Sequence, residues 1–157
     1  MLLLLIVATL QTSALPSFSL AGIVPNLMLL VVVSWSVLRG FRAALLLALG
    51  GGLLLDLLSG GPFGAATASL VLSSVVMGLE QLNLFRDSLW LPLLGGVLAT
   101  VLYNGAYLIM LTVFGRTVQW LPTVQRVILP EMALNVVVMY PVFWGMRWLH
   151  RRQLVTA

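Results

Sequence analysis

One carboxylate, Asp56, lies in a nearly unbroken apolar run that closes on Ser59-Gly60-Gly61-Pro62-Phe63-Gly64. A charged side chain at mid-bilayer costs roughly 2.5 to 3.5 kcal/mol or more, so an acid in such a run needs a role that offsets the cost. Three chemistries compete for it: an ion or proton relay, a catalytic acid or base, and a hydrogen-bonding anchor. A relay or a catalytic pair needs a second ionisable group within reach. The other acids are Glu80, Asp87 and Glu131, and Glu80 and Glu131 fall near the ends of apolar segments on opposite sides. The remaining polar groups inside apolar segments are Gln11, Tyr103, Asn104, Tyr107 and Asn135. Asp56 stands four residues before Gly60, a position that allows partial hydration. Its expected role is to anchor the Ser59 to Gly64 turn through exposed backbone N–H groups.

No other constellation suggests catalysis. The chain has no G-x-S-x-G, no H-E-x-x-H, no phosphate-binding G-x-x-x-x-G-K-[ST] and no paired carboxylates on one helix. Gly50-Gly51-Gly52 lacks the lysine of a phosphate loop and lies within an apolar run, so it reads as helix weakening or close packing. Cysteine is absent, which removes disulfides, thiolate nucleophiles and cysteine metal sites. The one histidine, His150, sits between Leu149 and Arg151 near the C-terminus and reads as an interfacial polar residue. The expectation is a protein that is not an enzyme and needs no cofactor or metal.

The elements that must position these residues follow from composition. Of 157 residues, 61% are hydrophobic and 8% charged, with a mean hydropathy of +1.12. A soluble domain carries about 25% charged residues to cover its surface, so lipid must do the covering here. Six apolar segments can be separated: Met1 to about Leu15, Leu20 to Leu38 with Pro25-Asn26, Phe41 to Leu58, Gly64 to Leu82, Leu89 to Phe114, and Glu131 to Leu149. The expected fold is all-α, a polytopic membrane bundle of about six transmembrane helices in one domain, residues 1–157. The last segment opens with Pro130-Glu131, placing a proline near the first helical position and an acid in the first turn.

Charge sets an expected orientation. The net charge of +4 comes from eight arginines and no lysine. These are strung singly between apolar segments, unlike the clustered basic face of a nucleic-acid binder, and act as topology signals. Six of them (Arg39, Arg42, Arg86, Arg147, Arg151 and Arg152) fall on one side, and two, Arg116 and Arg126, on the other. Positive residues are retained inside, so both termini are expected in the cytoplasm. Trp35, Trp90, Trp144 and Trp148 fall near the same interface. The long connection Gly115 to Pro130 carries Trp120, Val118, Leu121, Val124, Val127 and Ile128 among polar residues. It reads as a segment lying on the outer membrane surface, interrupted at Pro122.

Small or polar residues recur every four positions through the third segment: Gly40, Ala44, Ala48, Gly52, Asp56, Gly60. Such spacing lets helices approach closely in lipid. With Ser69, Ser73, Ser74 and Gly78 of the fourth segment, these faces suit either a partner or internal packing.

These residues resemble the MreD family of small bacterial rod-shape-determining membrane proteins. The similarity spans nearly the whole chain. It includes Leu10-Gln11, Pro25-Asn26 opening the second helix, Arg39-Gly40, Leu84-Phe85-Arg86, Leu134-Asn135 and Pro141. Its densest part runs from Gly52 to Gly64 and fits G-[LF]-x-x-D-x-x-x-G-x-P-x-G, with Gly52, Asp56, Gly60, Gly61, Pro62, Phe63 and Gly64 as the motif. Asn26 departs from the aspartate that many relatives carry there, so this position need not ionise. Asn104 completes the polar positions of interest.

The resemblance implies a non-enzymatic scaffold of the cell-elongation machinery in the bacterial inner membrane. It implies direct association with MreC and, through it, with RodA, a penicillin-binding transpeptidase and the MreB filament, linking cell shape to peptidoglycan synthesis. It also implies an architecture like that of the substrate-binding subunits of energy-coupling-factor transporters. That gives an alternative, a small-molecule-binding transport subunit. Such a subunit needs an outward-facing pocket with converging polar groups, and the sequence supplies few on that side.

Overall fold

The computed structural model describes residues 2–14, 23–80 and 91–155. Helix α1 spans Leu2–Thr9 and widens into a π-helical turn, Leu10–Ala14; α2 spans Leu27–Arg39, α3 Phe41–Leu58, α4 Ala65–Glu80 and α5 Leu91–Val113. A short helix, α6, covers Trp120–Thr123 and passes through a second π-helical stretch, Val124–Ile128, into α7, Leu129–Val155. The described residues therefore make a helical membrane bundle of six rods. The segment limits expected at Leu15, Leu20, Leu82 and Leu89 lie outside the described residues, as do Leu84-Phe85-Arg86, Asp87 and Trp90.

Helix α2 is the axis of this bundle. Every residue from Met28 to Ser36 is buried, and α1, α3, α4, α5 and α7 all pack against it. A helix apolar on all sides is stable where protein surrounds it. At 13 residues it is about 20 Å long, shorter than a hydrocarbon core of about 30 Å. Among the described residues three helical stretches are long and apolar enough to cross alone, Phe41–Leu58, Leu94–Val113 and Trp120–Arg151, while the apolar stretches in α1, α2 and α4 are shorter.

Two expectations change here. Pro25-Asn26 does not lie inside the second helix: α2 begins at Leu27, and Asn26 is its N-cap, accepting the Leu29 N–H at 3.1 Å. Asparagine competes with backbone partners and favours that position over a helix interior. The Gly115 to Pro130 connection is not a segment separate from the last helix, since helical structure runs from Trp120 through α7. Pro122 is the third residue of α6, in a first turn whose N–H groups lack intrahelical acceptors, so its missing N–H breaks nothing. Pro130 has no N–H to reach residue 126, and the wide turn in front of it, with Leu129 N–H on the Val124 carbonyl, absorbs the mismatch.

The small-residue stripe is internal from Ala44 to Asp56, while Gly60 at its end is exposed. Ala44, Ala48, Gly51, Gly52 and Asp56 are buried, as are Ser69, Ser73 and Ser74. A Cβ on Gly52 would collide with the Thr67 backbone, and one on Gly51 would stand 2.5 Å from the Met28 sulfur. The triple glycine thus serves close packing of α3 on α4 and α2, not helix weakening.

Candidate functional site

Both α2 and α4 begin inside the bundle, and that fact organises the polar residues. The first N–H groups of a helix have no intrahelical acceptor, and hydrocarbon offers no water to take them. Side chains from elsewhere in the chain must accept them.

At α4 the acceptor is Asp56, about ten residues upstream. Its Oδ1 accepts the Ala66 N–H at 2.9 Å; its Oδ2 accepts the Thr67 N–H at 3.1 Å and the Thr67 hydroxyl at 2.5 Å. The residue just before α4 is Gly64, which holds φ at +92° and has no side chain to cap with. A left-handed backbone there favours glycine, so the cap comes from α3 instead. The N-terminal end of α4 also carries partial positive charge, which favours a carboxylate. Asp56 is only 5% exposed, so the expected partial hydration is replaced by protein donors. The N–H groups it takes belong to the first turn of α4 and not to the Ser59 to Gly64 turn.

That turn is shaped by its own residues. Gly60 has φ +64°, the Pro62 carbonyl accepts the Ala65 N–H at 3.1 Å, and the Gly64 carbonyl accepts the Ala68 N–H at 2.9 Å. Gly61 lies under the Tyr107 hydroxyl, where a Cβ would come within 2.9 Å. Phe63 stands out from the turn, 62% exposed.

At α2 the caps are amides. Asn26 Oδ1 takes the Leu29 N–H, and Gln11 Oε1 takes the Met28 N–H at 2.8 Å. Gln11 Nε2 donates to Asn26 Oδ1 at 3.1 Å, which ties α1 to the start of α2. The Asn26 N–H donates to Asn135 Oδ1 at 2.8 Å, and Asn135 Nδ2 donates to Thr100 Oγ1 at 3.1 Å, so fully buried Asn135 links α2, α7 and α5. Asn104 Nδ2 donates to Glu131 Oε2 at 3.1 Å and to the Thr100 carbonyl at 3.1 Å, which joins it to the residue that Asn135 also reaches. Tyr103 stacks on Tyr107 at 6.0 Å between centroids. Tyr107 in turn places its hydroxyl over Gly61, in the turn that follows α3.

The structure brings Gln11, Asn26, Asn104 and Asn135 into one network, and gathers Gly52, Asp56, Gly60, Gly61, Pro62, Phe63 and Gly64 at one corner. Pro25 contributes its carbonyl to the Leu27 N–H at 3.1 Å. Pro141 stands apart, exposed within α7. Sequence reasoning passed over Thr67 and Thr100 and left Glu131 at a helix end, whereas it is buried among amides. A glycine directly before a helix, with no local cap, was the signal that could have pointed to Thr67. Amides from four helical rods converge near the start of α2, more than the sparse polar positions of the sequence suggest. They meet as mutual partners: among the described residues every buried side-chain nitrogen and oxygen has a hydrogen bond.

No curated protein and no solved structure matches the chain. The family model described as rod shape-determining protein MreD matches residues 1–152, nearly the full length. The chain belongs to the MreD family of rod-shape-determining membrane proteins.

Proposed function

We propose that this protein is a non-enzymatic scaffold of the bacterial cell-elongation machinery, and that it binds MreC through the corner where α3 meets α4. By this route it would link the MreB filament to RodA, the penicillin-binding transpeptidase and peptidoglycan synthesis. The observation that carries the reading is exposed Phe63 on a turn fixed on both sides. Asp56 locks the start of α4, Tyr107 covers Gly61, and Gly60 and Gly64 hold conformations that few other residues adopt. An aromatic side chain held out on a rigid support suits recognition, since little freedom is lost when a partner covers it. The polar residues that could have served chemistry are occupied as helix caps, which supports a structural role over turnover. With the arginine-rich end in the cytoplasm of a multi-pass inner-membrane protein, this corner faces outward.

The test is co-purification of MreC with Phe63→Ala and Asp56→Leu, together with crosslinking from position 63 in intact cells. Phe63→Ala should fold normally, lose most MreC binding and yield rounded cells. Full binding and rod shape in Phe63→Ala cells would overturn the assignment of this corner. The converging amides give the energy-coupling-factor-like reading its one supporting feature. A ligand that raises the melting temperature of the wild type, but not of Asn104→Ala, would favour it.

A further inference from the structure

At the opposite end of the bundle, where α2 and α7 finish, Arg39 is held as a donor. Its Nε donates to His150 Nδ1 at 3.1 Å, and its guanidinium lies 5.1 Å from the centroid of the Trp35 ring. Trp35 meets His150 edge to face at 6.1 Å, so all three side chains brace one another across two helices. The hydrogen bond uses Nε, so neither terminal nitrogen of Arg39 is spent on His150. A planar fork with a fixed orientation is suited to bidentate recognition of a phosphate or carboxylate.

More positive charge surrounds it. Arg42 follows one residue after the single-glycine link at Gly40, while Arg147 and Arg151 flank His150 on α7, and all four arginines are exposed. Asp56 and Glu131 cannot neutralise them. Asp56 lies fourteen residues further along α3, about 20 Å away. Glu131 lies near the start of α7, and both acids are engaged there by other partners. Glu80 ends α4 on the arginine side, and its side chain lies outside the described residues. Topology signalling accounts for how many arginines are here, but it does not require one to be immobilised on a tryptophan and a histidine. Exposed Trp144 and Trp148 on the same stretch of α7 are the kind of side chain that lies at headgroup level.

The geometry points to a binding site for the phosphate of an anionic phospholipid headgroup, formed by Arg39 on its Trp35–His150 support with Arg42, Arg147 and Arg151 around it. The lipid phosphate takes the two terminal nitrogens of Arg39, and the flanking arginines select for net negative headgroups over zwitterionic ones. The site is separate from the Phe63 corner and does not depend on how that corner functions.

Native mass spectrometry of the full chain, titrated with phosphatidylglycerol against phosphatidylcholine, tests the proposal. The wild type should retain phosphatidylglycerol under conditions that strip phosphatidylcholine. Arg39→Gln should weaken retention about tenfold. Arg39→Lys, which keeps the charge and loses the fork, should also weaken it measurably, and Glu80→Gln should not. Arg116→Gln, at the other end of the bundle, should leave it unchanged. If Arg39→Gln fails to fold by circular dichroism, Arg39→Lys and Arg147→Gln/Arg151→Gln provide the comparison. Equal retention by the wild type and the Arg39 variants overturns the site, as does equal loss in Arg116→Gln. Inorganic phosphate is the second arm: saturable phosphate binding without phosphatidylglycerol retention overturns the lipid assignment.

Discussion

The Asp56 carboxylate and the Ala66 backbone N–H, ten residues apart and on different helices, meet at 2.9 Å. With the two bonds from Thr67, this contact makes Asp56 the N-terminal cap of a helix to which it does not belong. An acid that is costly in hydrocarbon becomes favourable because it removes a second cost, the free N–H groups of a helix that starts inside the bundle.

Replacing Asp56 separates hydrogen bonding from shape. Asp56→Leu fills similar space and leaves the Ala66 and Thr67 N–H groups buried without acceptors, which should destabilise the fold by roughly 3 kcal/mol or more. Asp56→Asn keeps one acceptor oxygen and should lose about half as much. Unfolding in a denaturing detergent, followed by tryptophan fluorescence, gives the order wild type, Asn, Leu.

The glycines divide by what surrounds them. Gly52→Ala drives a methyl into the Thr67 backbone and should destabilise by about 1 to 3 kcal/mol as α3 and α4 move apart. Gly105→Ala meets nothing within 4 Å and should be neutral or stabilising by up to about 1 kcal/mol. The same unfolding assay distinguishes them.

Gly64→Ala places a methyl where there is open space but φ is +92°. The expected loss is about 1 to 2 kcal/mol from backbone strain alone. Strain beside the cap should also loosen it, so hydrogen exchange at Ala66 and Thr67 should speed up while that of the buried middle of α2 changes little.

Asn135 ties the start of α2 to the Thr100 hydroxyl of α5. Asn135→Leu leaves the Asn26 N–H without its acceptor and should destabilise by roughly 2 to 3 kcal/mol. Combined with Thr100→Val, which removes the hydroxyl oxygen that accepts from Asn135 Nδ2, the loss should fall short of the sum by at least about 0.5 kcal/mol. A double-mutant cycle in the unfolding assay measures the coupling.

Much of this protein could be read from residue order. Low charge and long apolar runs dictate a membrane bundle, because no other solvent can cover such a surface. Gly52, Asp56 and the Gly60 to Gly64 turn could be singled out from an acid in an apolar run beside glycines and a proline. The even spacing of small residues pointed correctly to close helix contacts, since helical periodicity is local. What the order of residues could not supply was the partner of each group. Asp56 reaches Thr67, Asn26 reaches Asn135 across 109 positions, and Arg39 reaches His150 across 111. These pairings depend on where α2 and α4 begin within the bundle, and only packing decides that. Sequence determined that polar groups must sit among apolar helices. The tertiary structure decided that they are caps, because each helix start buried away from water leaves N–H groups that another helix has to accept.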